Sequence, residues 1–306
     1  MYWAQIITYV SVIVAFIAMA AKVLRYMTAP QSFRWELYPV PHEKGRAEYG
    51  GSYLEELDWW SKPRHADYFN EIKEMMEEIL FLKGVYHNNK KVWISSLPFH
   101  LGLYLVIGWL LLLLLGGILE IAGVPFGADA GTFALVIHYL TIILGYAGLI
   151  MAGIGAIGLL IWRASNKAQR NYNAPADYFN LIIFIVVVGV TLTAQWGADP
   201  AFGVLRNYVG SLVTFSAVAD LSLLMTVEIV LVSLLIMYIP LTRMSHFVAK
   251  YFLYHSVRWN DEPNERGSKI EKHIMELLNE KVGWNGAHVK TGKSWAEVVQ
   301  ESGNEQ

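Results

Sequence analysis

Five long apolar runs constrain this chain more than any other feature. They cover roughly residues 3–23, 92–121, 133–162, 178–196 and 221 to about 252. A helix needs about 20 predominantly apolar residues to cross the hydrocarbon of a bilayer, and each run meets that length. The chain has 306 residues, 55% hydrophobic and 16% charged, whereas a soluble domain carries about a quarter charged residues. The missing charge is concentrated in the five runs. The expected fold is therefore an all-α integral membrane protein, a bundle of five transmembrane helices in contact with lipid. For the first run the rival reading is a signal peptide. It is disfavoured because the extreme N-terminus has no basic residue and no cleavage pattern stands out.

Other bulk features exclude whole classes of function. There is no cysteine, so disulfides, thiolate zinc sites and protein-ligated iron–sulfur clusters are ruled out within this chain. A net charge of -2 gives no bulk signal for nucleic acid.

The runs divide the chain into a first span (1–23), a polar loop (24–91), a four-helix membrane core (92–255) and a tail (256–306). The stretch 35–41 and the pair Gly50-Gly51 read as irregular. From 66 to 83, Tyr68, Phe69, Ile72, Met75, Met76 and Ile79 recur at helical spacing against Glu71, Lys73, Glu74, Glu77 and Glu78, which predicts an amphipathic helix. Its acidic face disfavours anionic lipid and suits docking onto a soluble partner or onto the tail. Residues 269–281 predict a second short helix. Lys and Arg are abundant after run one, absent between runs two and three, present between three and four, sparse between four and five, and abundant after five. The positive-inside rule then places the N-terminus outside and the C-terminus in the cytoplasm.

Nine histidines are present, and only His100, His138 and His246 lie in or at the edge of an apolar run. His100 stands where the second run begins and His246 where the last one ends. Two such spans cross in opposite directions, so both residues are expected on the cytoplasmic side at similar depth. Facing neutral imidazoles between helices are what bis-histidine haem ligation requires. Arg243 can fork onto a haem propionate or serve as a positive-inside anchor. His87 and His255 form a second, more polar pair suited to an interfacial or propionate-binding role. In the outer half, His138 accompanies Glu120, Asp220 and Glu228. Carboxylates within spans cost a few kcal/mol and mark proton paths or cavities. His138 with Glu228 or Glu120 could handle the protons of a quinol. Alternatively His138 ligates a second, outer haem, although runs two, four and five offer no histidine partner for it. Gly148, Ala152 and Ala156, four apart, permit close helix packing or contact with a flat cofactor.

The motifs Pro98-Phe99-His100-Leu101-Gly102 and Leu241-Thr242-Arg243-Met244-Ser245-His246-Phe247 resemble the inner-haem ligand regions of the respiratory nitrate reductase gamma-subunit family. The resemblance covers roughly 90–255. It implies a five-helix, quinol-oxidising membrane cytochrome b with His100 and His246 as haem b ligands. Where that family carries its outer-haem histidines, this chain has Leu110 and Glu228, so the resemblance supports one haem b or two only with unconventional ligation. The flanks 35–41, 51–60 and 244–259, with Trp284, His288 and Trp295, are similar to the DsrM-type subunit of the membrane complex of dissimilatory sulfur metabolism. That likeness implies menaquinone as substrate and a cytoplasmic iron–sulfur partner like the heterodisulfide reductase catalytic subunit (DsrK-like). It also implies further membrane and periplasmic cytochrome c subunits, and the cytoplasmic membrane as location. Two rival readings remain. One is a haem-free anchor or scaffold subunit. The other is a transporter using Glu120 and Glu228, disfavoured because no inverted repeat or broken pair of spans is found.

Overall fold

The computed structural model describes residues 3–29, 41–43, 45, 52–63, 65–126, 130–218, 221–260, 262, 264–287 and 289–304. Residues 35–40, Gly50, Gly51, Asp220 and His288 lie outside the described residues. All regular structure among the described residues is helical, apart from three isolated bridges. The helices are α1 (Trp3–Met27), α2 (Tyr68–Leu80), α3 (Lys83–Asn88), α4 (Lys90–Ile121), α5 (Thr132–Ser165) and α6 (Lys167–Arg170). They continue as α7 (Pro175–Ala198), α8 (Gly203–Thr214), α9 (Leu223–Leu241), α10 (His246–Leu253), α11 (Lys269–Leu278) and α12 (Trp295–Asn304).

Five of them, α1, α4, α5, α7 and α9, are long and apolar enough to cross a membrane, with 25, 32, 34, 24 and 19 residues. They are the five apolar runs. Local sequence sets their starts. Asn89 accepts the Val92 N–H at the head of α4, and Ser222 accepts that of Met225 at the head of α9. Pro175 opens α7, where the Asp177 carboxylate takes the Ala174 N–H at 2.9 Å. Each satisfies a donor that the first helical turn leaves over. Large apolar side chains such as Phe16, Ile143, Ile154 and Val186 stand exposed along these helices. In water such surface would be a liability, and in lipid it is matched.

The fifth span is shorter than its apolar run. α9 stops at Leu241 and Thr242 is extended (φ -117°, ψ -175°). A single turn, Arg243–Ser245, leads into α10. Nineteen residues rise about 28 Å, close to the roughly 30 Å of hydrocarbon, and Pro240 and the polar Thr242-Arg243 follow at once. The apolar pattern beyond that point belongs to a separate amphipathic helix.

The chain forms two compact units, residues 1–17 with 73–242 and residues 18–72 with 243–306. In the first unit, α4 and α5 approach backbone to backbone. A Cβ on Gly102 would lie 2.3 Å from the Ala152 nitrogen and 2.7 Å from the Gly148 oxygen, and one on Gly155 would lie 2.4 Å from the Phe99 nitrogen. Gly148 and Ala152 of the small-residue stripe thus serve helix packing. α8, between the fourth and fifth spans, packs on α4, where Gly116 and Gly117 make room for Arg206 and Gly210. Three amides at its head, of Gly203, Val204 and Leu205, donate to the Asp199 carboxylate. The first part of α1 is tied in by polar groups. Gln5 donates to Ser211, while Thr8 bonds both Tyr208 and Ser233. On the same unit, Lys83 at the start of α3 bridges Glu74 and Glu77 of α2.

In the second unit, Lys22 donates to Ser245 and Tyr26 packs on Phe252. Val282, Val289 and Val298 form a small core in the tail, and Trp284 meets Trp295 edge-on nearby in sequence.

The packing predicts that Gly102→Ala costs about 1–3 kcal/mol, the usual range for overpacking, when unfolding is followed in mixed micelles. Gly189→Ala, where nothing lies within 4 Å of the added carbon, should leave the midpoint unchanged or raise it.

Candidate functional site

The polar side chains of the membrane core are few, and each has a definite setting. His100 is carried by α4 just past Pro98, next to the tight crossing with α5. Its Nδ1 lies 2.7 Å from the Ser96 carbonyl oxygen one turn back and 3.3 Å from the Ser96 hydroxyl. A carbonyl can only accept, so this contact sets Nδ1 as the protonated nitrogen and makes Nε2 the one with a lone pair. The ring is braced by Phe99, which meets Phe184 of α7 edge-on. A histidine whose Nδ1–H is held by a backbone carbonyl is the usual arrangement of a metal ligand through Nε2. The donor set at His100 therefore fits a haem iron.

Glu120, near the end of α4, is taken by Arg206 of α8. The guanidinium Nε lies 2.8 Å from Glu120 Oε1 and stacks over Phe126 at 4.3 Å. Arg206 is buried (7% exposed). It is thus a structural partner inside the unit, and the segment between the fourth and fifth spans carries no other basic residue. Glu228, on α9, is 1% exposed, and its Oε2 accepts from Gln195 Nε2 at 2.6 Å. His138 sits on α5 with Nδ1 buried and without a hydrogen-bond partner. The structure therefore pairs Glu120 with Arg206 and Glu228 with Gln195, and joins neither to His138 Nδ1.

Sequence reasoning missed Gln195, Thr191 and Ser96. Thr191 and Gln195 are four apart in the fourth run, so they share one face of a helix. That pairing of polar residues within an apolar run was the available signal. Arg206 could not be matched to Glu120 from spacing, because 86 positions separate them.

The second unit holds Arg243 in the turn before α10, and His246 as the first residue of α10. Both are exposed there. His255 follows α10 and bonds Glu71 through Nδ1 at 3.1 Å. Its ring lies tilted against Tyr251 at 4.3 Å and meets Trp259 edge-on. It lines a cavity of about 750 Å³ together with His42, His65, Trp59 and Trp259. Burial pushes its pKa down, Glu71 pulls it back up, His42 lowers it again, and the net shift is downward. His87 is exposed at the end of α3 in the first unit.

Fold and core define an all-helical, multi-pass membrane protein with a few polar side chains enclosed among its spans. Comparison with models of protein families, with curated proteins and with solved structures finds no match.

Two outcomes follow. Arg206→Met leaves Glu120 charged without its partner and should cost about 3 kcal/mol. Combining it with Glu120→Gln should recover most of that loss in the same unfolding assay. For His255, the folded pKa lies below its ordinary 6.5, so protonation favours the opened form. Protection around Tyr254–Trp259 is complete above pH 6.5 and falls as pH drops below it. Hydrogen exchange corrected for intrinsic rates checks this, and His255→Phe should flatten the dependence.

Proposed function

We propose that this chain is a membrane cytochrome b subunit of a respiratory oxidoreductase complex. It passes electrons between menaquinol or menaquinone and a cytoplasmic iron–sulfur subunit of the heterodisulfide-reductase type, in dissimilatory sulfur metabolism. The observation that carries the reading is the His100 ring, held by the Ser96 carbonyl in the tautomer an iron ligand needs. The histidine motifs around 100 and 246 support it, since both resemble the inner-haem ligand regions of the nitrate reductase gamma-subunit family. Five helices long and apolar enough to span a membrane support it as well. On this reading the N-terminus faces outward and the C-terminus the cytoplasm, in the cytoplasmic membrane.

The roles divide as follows. His100 and His246 hold haem b through their neutral imidazoles, and Ser96 fixes the first of them. Arg243 binds a propionate. Haem, when bound, supplies the one-electron carrier needed between a two-electron quinol and a one-electron iron–sulfur partner. Oxidation of a quinol also releases two protons, which a base must accept. Glu120 is committed to Arg206, so His138 and Glu228 are the groups left to take them.

His100→Ala and His246→Ala should each abolish the b-type absorbance while the polypeptide stays in the membrane. Full absorbance retained in both would overturn the ligand assignment. His138→Ala should slow quinol-dependent haem reduction about a hundredfold or more, the usual worth of an acid–base group. Unchanged stopped-flow kinetics would remove it from the proton path.

A further inference from the structure

Buried polar atoms without hydrogen-bond partners are rare in folded proteins, and each one points to something that satisfies it. Three belong to neighbouring residues of α7 and α9. Glu228 Oε1, Gln195 Oε1 and Thr191 Oγ1 are all buried without a partner. The residues themselves are 1%, 0% and 1% exposed. Gln195 and Glu228 are already locked together by the 2.6 Å bond between Nε2 and Oε2, so their remaining oxygens flank a single contact. Thr191 lies one turn back on the same face as Gln195. Its hydroxyl is also exceptional for this bundle. Those of Thr8, Thr141, Thr193 and Thr214 each bond the carbonyl four residues earlier, whereas that of Thr191 makes no such bond.

We propose that these three oxygens bind one monovalent cation, sodium, within the membrane core. The ligand chemistry is that of a hard cation: a carboxylate, an amide carbonyl and a hydroxyl, with no nitrogen or sulfur. Charge balance sets the valence. Glu228 is the one carboxylate in the set. The nearby acids are spent elsewhere, Asp199 on the head of α8 and Glu120 on Arg206. One positive charge on one carboxylate leaves a neutral site, which a low-dielectric interior tolerates. A bridging water could satisfy the same oxygens without neutralising the carboxylate. The Gln195 amide has a positioning role, as its N–H₂ group orients the carboxylate while its oxygen adds a ligand. Access is short. Glu228 is the sixth residue of α9, about 7.5 Å along the helix axis from its start, and Gln195 is three residues from the end of α7. Sodium binding here needs neither haem nor quinol to be present, so it is tested separately from the cytochrome reading. On that reading, the proton released by a quinol and the sodium ion compete for one carboxyl.

The test is equilibrium binding of radioactive sodium to the purified full-length chain in detergent, against a constant potassium background. One saturable site per chain is expected. Thr191→Val removes one ligand oxygen at nearly constant volume and should weaken binding about tenfold. Glu228→Gln should abolish it. Localisation comes from carbodiimide modification of Glu228, read by peptide mass spectrometry. Sodium at ten times its Kd should slow that modification roughly tenfold relative to potassium. Absence of saturable sodium binding in the wild-type chain would overturn the proposal and leave water as the occupant. Sodium binding unaffected by both Thr191→Val and Glu228→Gln would overturn it by placing the ion elsewhere.

Discussion

The close crossing of α4 and α5 underlies the first unit. In a bilayer no hydrophobic force drives helices together, because lipid tails are as apolar as leucine. What remains is dispersion at short range, and that requires backbones to touch. Gly102, Gly148, Ala152 and Gly155 supply the contact, with added carbons excluded at distances under 3 Å at each of the three glycines. The same crossing fixes Phe99, and so the wall against which the His100 ring stands. The residue that carries the functional reading is held by the tightest packing in the span.

A second constraint follows from the first. Close-packed helices in lipid must satisfy their own polar groups. Asp199 does this for the head of α8, Arg206 for Glu120, and Gln5 and Thr8 for the early part of α1. Among the described residues, the unpartnered oxygens on Thr191, Gln195 and Glu228 stand out because they fall on neighbouring residues, while Trp109 Nε1 and Glu120 Oε2 are left open elsewhere in the unit. His138 Nδ1 is open as well. Arg206 takes Glu120 and the head of α8 takes Asp199, so the groups left open on α7 and α9 mark a place where something else is bound or moved.

Much of the fold was legible because lipid solvation writes itself into composition. Five charge-poor runs became five long helices, with ends within a few residues of those expected for the first four. The fifth ended early, since the apolar pattern continued from α9 through Arg243 into α10 and hydropathy alone does not register the end of a helix at Leu241. α8 was missed because its twelve residues include Arg206 and Asn207 and its stability comes from packing on α4 and capping by Asp199. The site was legible in part. His100 and Glu228 stand out as polar residues in apolar sequence. Of the partners that give them meaning, Ser96 lies one helical turn before His100 and was within reach of local spacing, whereas Gln195 meets Glu228 across 33 positions through a contact that no local pattern encodes.

On the proposed reading, His100 is an iron ligand in a membrane cytochrome b. The most direct measurement is the ratio of haem b to polypeptide in the purified, haem-supplied protein by pyridine haemochrome. The account predicts at least one haem per chain, with low-spin bis-histidine spectra. A haem-free protein under those conditions would contradict it and leave the chain as a membrane anchor.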